Sequence, residues 1–154
     1  MDDAALWKKL NLAAGMRVLV DDPLDVLGPV RAAMPPGDSG GRAVWSMGFA
    51  RTLEEVEALA QHAAAVDADD PIVWIAYPKG SSTRYRCAFN RDTGWAAMGA
   101  VGFEPVRQVS LDEDWSALRF RRVQHIKSMT RGFAMTEEGK ALAAAGRAEK
   151  AAKK

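Results

Sequence analysis

The chain has 154 residues, 48% hydrophobic and 27% charged, which suits one folded domain with a real core and excludes wholesale disorder. No apolar run approaches the roughly 20 residues of a membrane-spanning helix, and Cys87, the only cysteine, rules out an internal disulfide or a cysteine-rich metal site. Charge is uneven behind a net of +1: residues 1–116 carry 11 Lys/Arg against 17 Asp/Glu, and residues 117–154 carry 10 against 3.

The stretch "MDDAALWKKL" lacks an apolar signal core, so a cytoplasmic location is expected. Within it, residues 4–10 read as a short helix with Asp3 as N-cap and Trp7 and Leu10 on one face. "MRVLVD" (16–21) is the first predicted strand. After it, Leu24, Leu27 and Val30 have helical spacing, but Pro29 must break or kink the run. "PPGDSGG" (35–41) is a loop by composition, and "RAVWSMGFA" (42–50) is a second strand. Thr52-Leu53-Glu54-Glu55 has the form of a capping box, and Leu53, Val56, Leu59, Ala60 and Ala63 then repeat at helical spacing to about Val66.

"PIVWIAY" (71–77) is apolar throughout after its proline, as a strand buried on both faces must be. A polar loop follows, and Asn90 can cap a helix running to Val101, with Asp92 in its first turn and Gly102 ending it. "FEPVRQVSL" (103–111) and "WSALRFRRV" (115–123) flank the acidic turn "DED" as an antiparallel pair. The alternation predicts a three-layer Rossmann-like, methyltransferase-like α/β domain over residues 1–123, its mostly parallel sheet closed by a C-terminal antiparallel hairpin. The expected strand order is first, second, third, last, fourth, with the second strand free to sit on either side of the first. Residues 124–154 form a basic extension with a helix predicted after Thr136.

The blocks "GMRVLV", "VWIAYPKGSS", "NRDTGWAAMGAVGFEPVRQVSLDEDWSALRFRRV" and "IKSMTRGFAMTEEGK" resemble a family of small bacterial proteins known as a domain of unknown function, with "DEDWSALRFR" the most specific part. The resemblance covers most of the chain. It implies a compact Rossmann-like, methyltransferase-like fold and supplies no catalytic residue.

The chemistry is restricted where a nucleotide site would lie. "VDDPLDVL" (20–27) has neither G-x-G-x-x-G nor E/D-x-G-x-G, Pro23 removes an N–H, and Asp21 and Asp22 repel a phosphate. No cofactor is therefore expected, although an acidic residue there could hold the ribose of S-adenosylmethionine. The alternative is "YPKGSSTRYR" (77–86), where Lys79, Ser81, Ser82, Arg84 and Arg86 offer donors to a small anion, Gly80 lets backbone amides turn, and Arg51 could join them. It is not a P-loop. Nucleic acid could instead bind Arg119, Arg121, Arg122, Lys127 and Arg131, against the opposition of the acidic body.

The remaining candidates read as structural. Cys87 is expected to be a small buried residue, His62 and His125 form no metal-ligand pattern, and Asp112-Glu113-Asp114 suits a turn. Trp45, Trp74 and Trp95 are expected in the core, and Trp115 at the hairpin. The expected function is a non-catalytic binding or interaction module, whose partner is a small anion or another protein. The alternatives are a small-anion-binding enzyme or degenerate methyltransferase using the 77–86 loop, and nucleic-acid binding through the basic extension.

Overall fold

A computed structural model describes residues 3–89 and 93–126. Its elements in chain order are α1 (Asp3–Lys9), β1 (Arg17–Asp21), a 3-10 turn (Gly28–Ala33), β2 (Val44–Phe49), α2 (Leu53–Ala64), β3 (Ile72–Pro78), α3 (Ala96–Ala100), β4 (Phe103–Ser110), β5 (Trp115–Arg122) and a last 3-10 turn (Val123–His125). The five strands form one sheet in the order β1-β2-β3-β5-β4, the expected order, with β2 between β1 and β3. No helix among the described residues is long and apolar enough to cross a membrane.

The expected fold class is overturned. The β1–β2 and β2–β3 pairings are parallel, but β3–β5 and β4–β5 are antiparallel, so the sheet is mixed rather than mostly parallel. Helical cover among the described residues is also short of full layers. The helical part of the β1–β2 connection (residues 22–43) is a six-residue 3-10 turn with Pro29 near its start, and α3 has only five residues, with Trp95 at its N-cap position. Proline explains the first shortfall, because it lacks an N–H and crowds the preceding turn. Asn90 and Asp92, the expected cap and first-turn acid of the longer helix, lie outside the described residues, as does the helix predicted after Thr136.

Both sheet faces carry apolar clusters. On one face α1 and the 3-10 turn cover Trp45, Met47, Phe49, Trp74 and Trp115. The carbonyl of Leu10, at the end of α1, accepts the indole N–H groups of Trp45 (2.7 Å) and Trp74 (2.8 Å), while Trp7 donates to the Val30 carbonyl at 2.9 Å. A carbonyl left without an intrahelical partner is thereby satisfied inside the core, and the amphipathic indoles become positional pins. On the other face α2 and α3 pack over β3 and β5 through Val56, Ala60, Ala63, Trp95, Met98 and Phe120.

The capping box holds with a displacement. Thr52 Oγ1 accepts the Glu55 N–H at 3.2 Å, but the Glu55 carboxylate accepts from the Arg51 N–H (3.0 Å), one residue earlier than the motif expects. At the β4 edge Pro105 sits at a register shift between Pro105 and Arg107, where a missing N–H and a bulge discourage a further strand from pairing.

Candidate functional site

At the end of β1, Asp22 answers the question that its sequence raises. Its side chain is 1% exposed and accepts the N–H groups of Val26 and Leu27, both at 2.9 Å, one on each oxygen, with the Arg31 guanidinium at 3.4 Å. Backbone amides that a nucleotide phosphate would need are thus held by the chain's own carboxylate. The turn closes through Asp25 N–H to the Asp22 carbonyl (3.1 Å), with Asp25 at φ 53°. An Asx-type turn of this kind occupies the anion seat from within.

At the ends of β2 and β3 the predicted residues are divided. Arg51, Thr52, Arg84, Tyr85, Arg86, Cys87 and Ala88 line one cleft of about 450 Å³. Its two walls are joined where the Ala88 N–H donates to the Arg51 carbonyl at 3.0 Å. Lys79, Gly80 and Ser82 line an adjoining cleft of about 290 Å³, which shares Tyr85, Arg86 and Cys87 with the first. Arg86 therefore belongs to both.

Several of the expected donors have structural duties instead. Lys79 Nζ donates to Ser110 Oγ at 2.6 Å, and the Lys79 N–H donates to the Asp114 carbonyl at 2.7 Å. The Ser82 hydroxyl donates to Asp114 Oδ1 at 2.9 Å and accepts the N–H groups of Arg84 (3.2 Å) and Tyr85 (3.1 Å). Arg84 lies 3.5 Å from the Asp114 carboxylate, yet its side chain stays 72% exposed, so the pair is a weak surface contact. Ser81 and Gly80 are exposed, and nothing within 4 Å of Gly80 requires a glycine. Arg51 and Arg86 form no ion pair among the described residues.

The acidic turn is the clamp behind this loop. Asp112 Oδ1 accepts the N–H groups of Asp114 and Trp115, both at 2.8 Å, which aims Asp114 at the 79–84 segment. The Tyr85 ring packs on Trp115 with centroids 5.1 Å apart, fixing where Arg84 and Arg86 emerge. The turn is legible in the sequence but this role is not, because nothing local links residues separated by about 30 positions. Cys87 lies on the cleft wall, half-buried; burial is the main cause pushing its thiol above the ordinary value, with Glu55 adding to it. The protonated thiol is a poor nucleophile.

The arginines proposed for nucleic acid lie at the opposite end of the sheet and are engaged. Arg121 pairs with Asp70 through Nη2 at 2.7 Å and Nε at 3.1 Å. Its guanidinium, by hydrogen bond and charge, holds the Asp70 carboxyl below its ordinary value. Arg122 donates to the carbonyls of Val66 and Ala68 at 3.4 Å each and lies 5.0 Å from the Phe103 ring centre. Arg119 is partly buried and donates to Asn11 Oδ1 at 3.2 Å. Lys127 and Arg131 lie outside the described residues. Among the described residues no group of three His, Cys, Asp or Glu side chains could hold a metal ion. No family model matches the chain, and no curated protein matches it.

Proposed function

We propose that the protein is a non-catalytic binding module that holds a small, multiply charged anion, of the phosphate or polycarboxylate class, in the cleft of Arg51, Arg84 and Arg86. One observation supports the reading: three arginines line a single concavity at the carboxyl ends of β2 and β3, and two of them have no carboxylate partner among the described residues. Guanidinium forks suit oxyanions, because they offer paired N–H donors to paired oxygens. Binding without turnover is favoured by the lining, which contains no histidine or carboxylate to move a proton, and by a thiol held protonated. The cytoplasmic location and the kinship with the family of the quoted sequence blocks belong to the same proposal, since both rest on the residues alone.

The test is thermal denaturation with inorganic phosphate, pyrophosphate and citrate, each against chloride at matched ionic strength. At least one anion should raise the melting temperature saturably, and the double variant Arg51→Ala/Arg86→Ala should lose the shift. Shifts of equal size in the wild type and the double variant would discard the cleft as the site.

A further inference from the structure

The two edges of the sheet differ in how they meet solvent. The β4 edge carries Pro105 and its register shift, whereas β1 holds neither proline nor lysine and its register against β2 is unbroken. Alternate residues of a strand turn their backbone groups to opposite sides, and the Arg17 N–H donates to the Ala43 carbonyl beside β2. Met16, Val18 and Val20 therefore turn theirs outward. The Met16 carbonyl accepts the Asp38 N–H at 2.8 Å, but no described residue meets the N–H and C=O groups of Val18 and Val20. Leu19 between them is 45% exposed and borders a largely apolar groove of about 490 Å³, shared with Gly48, Leu59 and Ala63.

We propose that this edge pairs with β1 of a second copy, antiparallel and centred on Leu19, in a two-fold dimer. In that direction the strand Arg17-Val18-Leu19-Val20-Asp21 is complementary to itself. Val18 and Val20 come opposite the partner's Val20 and Val18 as hydrogen-bonded pairs, which satisfies every backbone group left open. Leu19 meets the partner's Leu19 on the axis as a non-hydrogen-bonded pair, the closer kind, and apolar surface is covered at the side of the groove away from α2. Arg17 and Asp21 lie on the same face as Leu19 by alternation and come opposite the partner's Asp21 and Arg17. Parallel pairing in register would set like charges opposite instead. Both charges are available: exposed Asp21 has no side-chain partner among the described residues, and the Arg17 guanidinium donates to a carbonyl, that of Asp67 at 3.2 Å, and to no carboxylate. The Pro36–Asp38 loop closes the edge beyond this segment, with the Gly15 N–H donating to the Pro36 carbonyl at 3.0 Å. Pairing is thus confined to the five residues of β1, against the ~20–30 a side of a standard interface, so the dimer is weak and concentration-dependent. It does not depend on the arginine cleft.

Disulfide trapping of the full chain tests the register. With Cys87→Ser as background, Leu19→Cys should cross-link two chains under mild oxidation at least about tenfold faster than Leu24→Cys, at a leucine of similar exposure outside the strand, because the axial pair lies within disulfide reach. Sedimentation equilibrium of the wild type from about 10 µM to about 1 mM should show the mass rising toward a dimer. Asp21→Arg, a change at an exposed residue, sets arginine against arginine and should weaken association at least about tenfold, and Arg17→Asp/Asp21→Arg, where folded by circular dichroism, should restore it. Equal cross-linking of the two cysteines, a wild type that stays monomeric across the range, or association that Asp21→Arg leaves unchanged overturns the proposal. So does a folded double variant that associates no better than Asp21→Arg.

Discussion

The two ends of the sheet carry arginines to opposite effect. Where β3 begins, Arg17, Arg121 and Arg122 converge on the Val66–Asp70 loop and give their donors to its carbonyls and to Asp70. Where β2 and β3 end, Arg51, Arg84 and Arg86 surround an open cleft and meet only the distant edge of Asp114. A cation already bonded to protein gains little by meeting a ligand, because each new bond replaces an old one. Basic composition therefore says where an anion is attracted only after the internal partners are subtracted. The same subtraction applies to Asp22, whose carboxylate neutralises the anion seat after β1.

Disturbing that internal seat should have the largest effect. Asp22→Ala leaves the partly buried N–H groups of Val26 and Leu27 without their acceptor and should cost about 1–3 kcal/mol, measured by urea unfolding, with Asp22→Asn recovering part of it. At the start of β3, Arg122→Met keeps the apolar stem but removes the donors to Val66 and Ala68 and should cost about 1–2 kcal/mol. The matching change at the other end, Arg51→Ala/Arg86→Ala, should alter stability by less than about 0.5 kcal/mol without added anion, since no internal partner is lost. Equal costs at the two ends would erase the comparison.

How much of this was legible in the residues depended on range. The capping residues Thr52 and Glu55, the doubly buried β3 run and the alternating β5 are governed by neighbours a few positions away, and periodicity exposes them. The layered class fails partly at Pro29, a break legible in the sequence, whose consequence, a β1 face that no described helix covers, requires knowing that the turn lies beside α1. The candidate site was half legible. Arg51, Arg84 and Arg86 were visible as donors near strand ends, whereas the diversion of Lys79 to Ser110 and of Ser82 to Asp114 spans about 30 residues and leaves no local mark. Likewise, nothing near Arg121 in the chain announces Asp70, 51 residues away.

A smaller effect sharpens the contrast through pH. Asp70 has a carboxyl depressed by Arg121, so its stabilisation is present above the unfolded value near 3.8 and is lost as pH falls through the lower folded value. The difference in stability between the wild type and Asp70→Asn should be less than about 1 kcal/mol at neutral pH, as for other exposed pairs, and should shrink toward zero in acid below that range. A difference that grows on acidification would contradict the pairing.

Isothermal titration of inorganic phosphate into three proteins, at low and then raised salt, addresses the central claim: the wild type, Arg51→Ala/Arg86→Ala, and Arg119→Ala/Arg121→Ala. Saturable, salt-sensitive binding is expected in the first and third and its loss in the second. Binding that survives in the second protein and disappears in the third would place the anion at the wrong end of the sheet and contradict it.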